Sequence, residues 1–160
     1  MLLSAFKVPN SGNENAIKAM FIYNFSKYFD WTQVNENSDF TIAVYGTTEV
    51  TNYLKEITKK KFIQGKSVYV KKASSLSELS DVQMLFIAGH NSQFIHAINN
   101  SVYSGSLIII TENPGNHKFL SHINLIRVHD KLGFELNETR LKDNNIKFSK
   151  ELSGLASKFY

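Results

Sequence analysis

Five histidines and three carboxylates are the side chains whose placement could support chemistry. The histidines are His90, His96, His117, His122 and His129. Zinc needs three or four converging ligands, and none of these residues forms an H-E-x-x-H pair. His117 and His122 stand five apart across a loop, so only tertiary structure could bring them together. The histidines therefore read as surface or loop residues rather than as a metal site. His90 is the best placed, just past an apolar strand, where open α/β sheets bind ligands. Asp30, Glu112 and Glu135 lie near strand or helix ends, and no spacing pairs them.

Other catalytic patterns are missing from the sequence. Gly46-Thr47-Thr48-Glu49 follows the first strand where a nucleotide-binding fold carries G-x-G-x-x-G, but it has one glycine. It reads as a strand-to-helix turn. There is no G-x-S-x-G elbow, and the first and third strands end in Tyr45-Gly46 and Ala88-Gly89 rather than in phosphoacceptor carboxylates. The chain has no cysteine, which removes disulfides, thiol catalysis and thiolate metal sites. Net charge is +4, with the basic residues spread out apart from Lys59-Lys60-Lys61 and Lys71-Lys72. That is not the one-faced, aromatic-interleaved charge of a nucleic-acid protein. No cofactor and no metal are expected.

A length of 160 residues suits one domain. Residues 1–12 read as a lead-in, with Pro9, Asn10, Ser11 and Gly12 as breakers. Met1 to Phe6 is too short for a signal-peptide core, and the segment reads as a leader remnant or an added start. The domain proper is 13–160. No apolar run approaches the ~20 residues of a membrane span.

The spacing predicts a helix over 13–29. Ile17, Met20, Phe21 and Tyr28 lie on one stripe, and Ile22, Phe25 and Phe29 widen it. An arc that wide exceeds what one sheet face covers. It therefore predicts a second contact surface, and a homodimer through Ile22, Phe25 and Phe29. Strands follow at 40–46, 67–70, 84–89 and 107–111, with helices starting after Thr48 and running over 92–102. The lysine run at the end of the first of these helices complements its dipole.

The order strand, helix, strand, strand, helix, strand predicts an α/β domain. Its expected form is a single Rossmann-like open sheet, mostly parallel, with helices on both faces. A hairpin of 123–128 and 132–136 is expected next, turning at His129-Asp130-Lys131 with Asp130 and Gly133 as turn residues. A short helix over 138–142 precedes a final one over 149–159, with Leu152, Leu155, Ala156 and Phe159 on one face.

Trp31, the one tryptophan, follows the first helix. It reads either as core or as an aromatic anchor for a ligand or partner. If the first and last helices share a sheet face, Tyr28 and Trp31 come near Lys147 and Ser149. An aromatic face beside a cation suits a carboxylate-bearing ligand or an acidic partner side chain. Ser149 also fits a helix cap.

Several segments resemble the YfiR family. Residues 14–31, E-N-A-I-K-A-M-F-I-Y-N-F-S-K-Y-F-D-W, follow a family pattern close to E-x-x-I-K-A-x-F-I-Y-N-F-x-K-Y-x-x-W-P. The matches are Glu14, Ile17, Lys18, Ala19, Phe21, Ile22, Tyr23, Asn24, Phe25, Lys27, Tyr28 and Trp31, with Thr32 in place of the proline. The strands at 40–46 and 84–87 are similar, although the cysteine often found before the latter is absent. So are 123–126, 133–137 and 146–152. The resemblance covers about 13–157. It implies a dimeric, non-enzymatic periplasmic domain that represses a membrane-anchored sensor, such as a diguanylate cyclase or sensor kinase, and so lowers cyclic di-GMP. A small-ligand receptor is the second reading, and a hydrolase centred on His90 the third.

Overall fold

A computed structural model describes residues 14–46, 48–89, 91–100, 107–112 and 115–160. The lead-in 1–12, His90 and the end of the third expected helix at Val102 lie outside the described residues, as do the side chains of His117 and Phe159. Among the described residues, no helix is long and apolar enough to cross a membrane.

The chain runs α1 (Glu14–Phe25), β1 (Phe40–Tyr45), α2 (Val50–Thr58), β2 (Phe62–Ile63), β3 (Lys66–Ala73), β4 (Met84–Ile87), α3 (Ser92–Asn100), β5 (Ile108–Glu112), β6 (Ile123–Val128), β7 (Lys131–Leu136), α4 (Glu138–Asp143), α5 (Lys150–Leu155) and β8 (Lys158–Phe159). All eight strands form one sheet in the order β2-β3-β1-β4-β5-β6-β7-β8. β3, β1, β4, β5 and β6 are mutually parallel. The β2–β3 and β6–β7 hairpins are antiparallel, and β8 runs parallel to β7. The sheet is therefore mixed, with a parallel centre.

Residue parity explains the two layers. Ile42, Val44, Met84, Phe86, Ile108 and Ile110 face a core shared with α1, α2, α4 and α5. Ala43, Leu85, Ile87 and Ile109 face a second core closed by α3 and by Leu79 of a 3-10 turn. Strands covered on both faces carry the continuous apolar runs seen in β1, β4 and β5.

The wide apolar arc of α1 has its answer inside the chain. Ile22 and Phe25 are fully buried and Phe29 nearly so. α1 meets α2 on one side and β7 on another. Phe25 packs edge-on against Phe134, with ring centres 4.8 Å apart, and Phe21 completes the cluster. The second surface is thus α2 and β7 of the same chain. This corrects the expected dimer seam, because Ile22, Phe25 and Phe29 have no surface left to offer a second copy.

Three smaller expectations also change. The hairpin turns on His129 and Asp130 alone, both at positive φ (48° and 63°). Gly133 is a strand residue paired with Ile126. Glycine stands there because a Cβ would collide with the Ser157 hydroxyl. The last helix stops at Leu155, and the chain then extends so that Lys158–Phe159 adds a strand beside β7. Phe159 is therefore not on a helical face.

Candidate functional site

Two places gather the residues that sequence reasoning marked, and a chain of ion pairs starts on the same helix. The first place is the seam between the end of α1 and the segment before α5. After α1 the chain makes a 3-10 turn over Ser26–Tyr28 and then extends. Phe29 forms an antiparallel bridge with Phe148. The Asp30 N–H donates to the Lys147 carbonyl (3.1 Å), and the Ser149 N–H donates to the Tyr28 carbonyl (2.8 Å). The backbone thus brings 28–30 alongside 147–149.

The side chains divide between inside and outside. Trp31 is 2% exposed. Its ring stands edge-on to Phe40, 4.8 Å between centres, and its indole N–H donates to the Ser26 carbonyl at 2.7 Å. Of its two readings, core is the one observed, so the ring is not an exposed anchor. The Ser149 hydroxyl accepts from the Glu151 N–H and caps α5. Tyr28 is half-buried and Lys147 exposed. Burial, aided by Glu151, raises the Tyr28 pKa, so its phenol stays protonated and able to donate. Asp30 accepts from the Thr32 N–H, which lowers its pKa, and Lys147 adds a smaller electrostatic pull.

One positioning residue had no signal in the pattern of apolar positions. Gln64, in the β2–β3 turn, accepts from the Trp31 N–H (3.1 Å) and donates to the Phe29 carbonyl (2.9 Å). It clamps the extended segment from a hairpin whose two-residue first strand is too short to show periodicity.

The second place is the C-terminal end of the parallel strands. The chain moves from β1 to β3 on one side, and from β4 to β5 on the other. Open α/β sheets bind ligands at such a reversal. Here Tyr45, Gly46, Lys72, Ala73, Ser74 and Asn91 line an open cleft of about 570 Å³. Gly46 sits at φ +100°, and a Cβ there would press on the Asn91 amide and the Ala88 carbonyl. Glycine thus lets the end of β1 approach the start of α3. Tyr45 stacks flat on Phe94, with centres 3.5 Å apart.

Beside it runs the chain of ion pairs. Lys18 bonds both Glu14 (3.0 Å) and Glu112, and Arg127 also bonds Glu14. Glu112 in turn accepts the Gly89 N–H at 3.0 Å. Burial pulls the Lys18 pKa down, but its bonds to Glu112 and Glu14 outweigh that and raise it overall. The Glu14 pKa is lowered, chiefly by its bond to Lys18. Two residues of the α1 signature, Glu14 and Lys18, thereby tie the helix to the connection between β4 and α3. Glu112 does have a partner, on an element far away in sequence.

Glu135 is also engaged. It accepts from the Asn124 amide (2.9 Å) and lies 3.5 Å from the Lys118 ammonium. His122 departs from the surface-histidine expectation, since it is 2% exposed. Its Nδ1 accepts the Ile109 N–H at 2.9 Å, so its Nε2–H donates to Asn144 Oδ1 at 2.8 Å. His96 and His129 are exposed. Among the described residues, no group of three or more His, Cys, Asp or Glu could hold a metal.

The fold and these sites define a mixed α/β domain with a ligand-sized cleft at the strand ends and a bridged seam at the end of α1. The family described as YfiR/HmsC-like matches residues 15–157. The chain belongs to that family, a family of regulatory domains in signalling. No curated protein matches it.

Proposed function

We propose that the protein is a non-enzymatic periplasmic regulator that binds the sensor region of a membrane-anchored signalling protein and holds it inactive. A diguanylate cyclase is the favoured partner, and a sensor kinase the alternative. The observation that carries this reading is the family match across 15–157, which includes the α1 signature. The exposed part of the seam, Tyr28 and Lys147, is the proposed contact, with Trp31 and Ser149 acting beneath it as supports. A phenol donor on the same seam as an exposed lysine, whose charge Asp30 offsets only in part, suits a carboxylate on the partner.

The cleft at the strand ends supports a second role, that of receptor for a small ligand. Its Rossmann-like position at the sheet reversal and its Lys72, Ser74 and Asn91 lining favour a polar ligand carrying negative charge.

Immobilised protein presented with solubilised membranes of its own host tests the first reading. It should retain a membrane protein carrying a cyclase or kinase domain. Lys147→Glu should weaken retention while leaving the melting temperature unchanged, because Lys147 is exposed. Retention of no such protein sinks the reading, and normal retention by Lys147→Glu removes the seam from it.

A further inference from the structure

A groove along the β3 edge of the sheet shares no lining residue with the sites above. The C-terminal end of α2 and the edge strand β3 enclose about 320 Å³, lined among others by Lys55, Lys59, Lys61, Phe62, Val68 and Tyr69. Phe62 is 64% exposed and Tyr69 54%. Two of the three large exposed apolar side chains among the described residues therefore flank one groove.

The lysines alone have ordinary explanations. Lys55 and Lys59 complement the end of the α2 dipole, and lysines on an edge strand discourage unwanted pairing. The dipole explanation, expected for the whole run, weakens at Lys60 and Lys61, which lie beyond the helix and also line the groove. Neither explanation covers two exposed aromatics, which work against protection of the edge. The nearby Glu56 is bonded to Lys59, leaving the wall basic.

Strand geometry adds a second feature. β2 covers β3 only at Lys66 and Ser67. Beyond Ser67 the outer edge of β3 has no strand beside it among the described residues, while its inner edge is paired with β1 from Val68 to Ala73. The backbone groups on that open edge can receive an extended chain.

We infer that this groove docks an extended, acidic segment of a partner protein, which adds to the β3 edge and places an apolar side chain between Phe62 and Tyr69. Its carboxylates meet the lysines. A concave groove with its aromatics at the walls fits a peptide better than a flat anionic bilayer, which favours apolar groups on a projecting surface. The inference rests on the reading of the protein as a binding regulator and adds the chemistry of a second contact.

The test uses a fluorescent peptide alternating Glu with Val and Phe, its Lys-for-Glu counterpart, and phosphatidylglycerol vesicles. The whole protein should bind the acidic peptide, more weakly as salt is added, and should ignore the basic one. Lys60→Glu with Lys61→Glu should weaken binding by about tenfold or more at a nearly unchanged melting temperature. Tyr69→Ser should weaken it as well.

No binding of the acidic peptide, or equal binding by the charge-reversed protein, overturns the inference. Binding of vesicles in preference to peptide overturns it in favour of a membrane surface. A regulator that fails in cells while the peptide still binds would indict the proposed function and leave the groove standing.

Discussion

His122 shows how one buried side chain can be read as a pH-dependent quantity. Its ring accepts a backbone N–H at one nitrogen and donates to Asn144 from the other, which fits only the neutral form. Burial pushes its pKa down from 6.5 to about 4, and Arg140 adds to that fall. Above pH 6.5 the ring is neutral in both folded and unfolded chains, and the contribution is fully present. As pH falls from 6.5 towards 4, the unfolded chain takes up a proton that the folded chain refuses, so stability is lost.

Between pH 7.5 and 5 the loss amounts to about 2 kcal/mol. Urea unfolding at those two pH values should show it in the natural protein. His122→Asn keeps an acceptor near the Ile109 N–H and should lose that part of the slope, though it is less stable at pH 7.5. An unchanged slope would mean that His122 does not titrate as its surroundings require. Its burial was not legible from sequence. Ser121 before it and Asn124 two residues on are polar, and only the docking of α4's end brings Asn144 over the ring.

At the scale of elements, the β6–β7 hairpin offers a clean test. His129 and Asp130 both occupy positive φ, as a two-residue turn of type I′ requires, and neither is the residue that favours it most. His129→Asn with Asp130→Gly should raise stability by about 1 kcal/mol, read as a higher melting temperature. A lower one would show that the turn is held by something other than its own backbone preference.

The hairpin itself was plain in the sequence, because alternating apolar residues flank a turn signal, but its register was not, since the expected turn over 129–131 shortens to His129 and Asp130. α2 was equally plain, because after Thr48 the apolar residues Val50, Tyr53, Leu54 and Ile57 recur at helical spacing. β2 and β8 were not, since two residues carry no periodicity. The width of the α1 stripe was read correctly as a second contact, but it was assigned to a second copy. The identity of that contact, α2 and Phe134, depends on a topology that periodicity does not contain. The seam at 28–30 and 147–149 was foreseen as a meeting of segments, while the inward turn of Trp31 was set by Gln64 and Phe40, residues from hairpin and strand.

Across the whole molecule, the sheet separates three surfaces. The cleft lies at the strand ends, the basic groove at the β3 edge, and the seam where α1 ends. α1 reaches towards two of these regions, through the Lys18–Glu112 pair near the cleft and through the 3-10 turn after it, which leads to Tyr28 and Phe29 at the seam. A helix so placed physically links the two regions. As proposed, this domain restrains a membrane-anchored diguanylate cyclase. Cyclic di-GMP in host cells, with the protein deleted and then restored, tests it most directly. A severalfold rise on deletion, reversed by the natural protein, is the expected result. An unchanged level after deletion, under conditions where the protein is made, would contradict it.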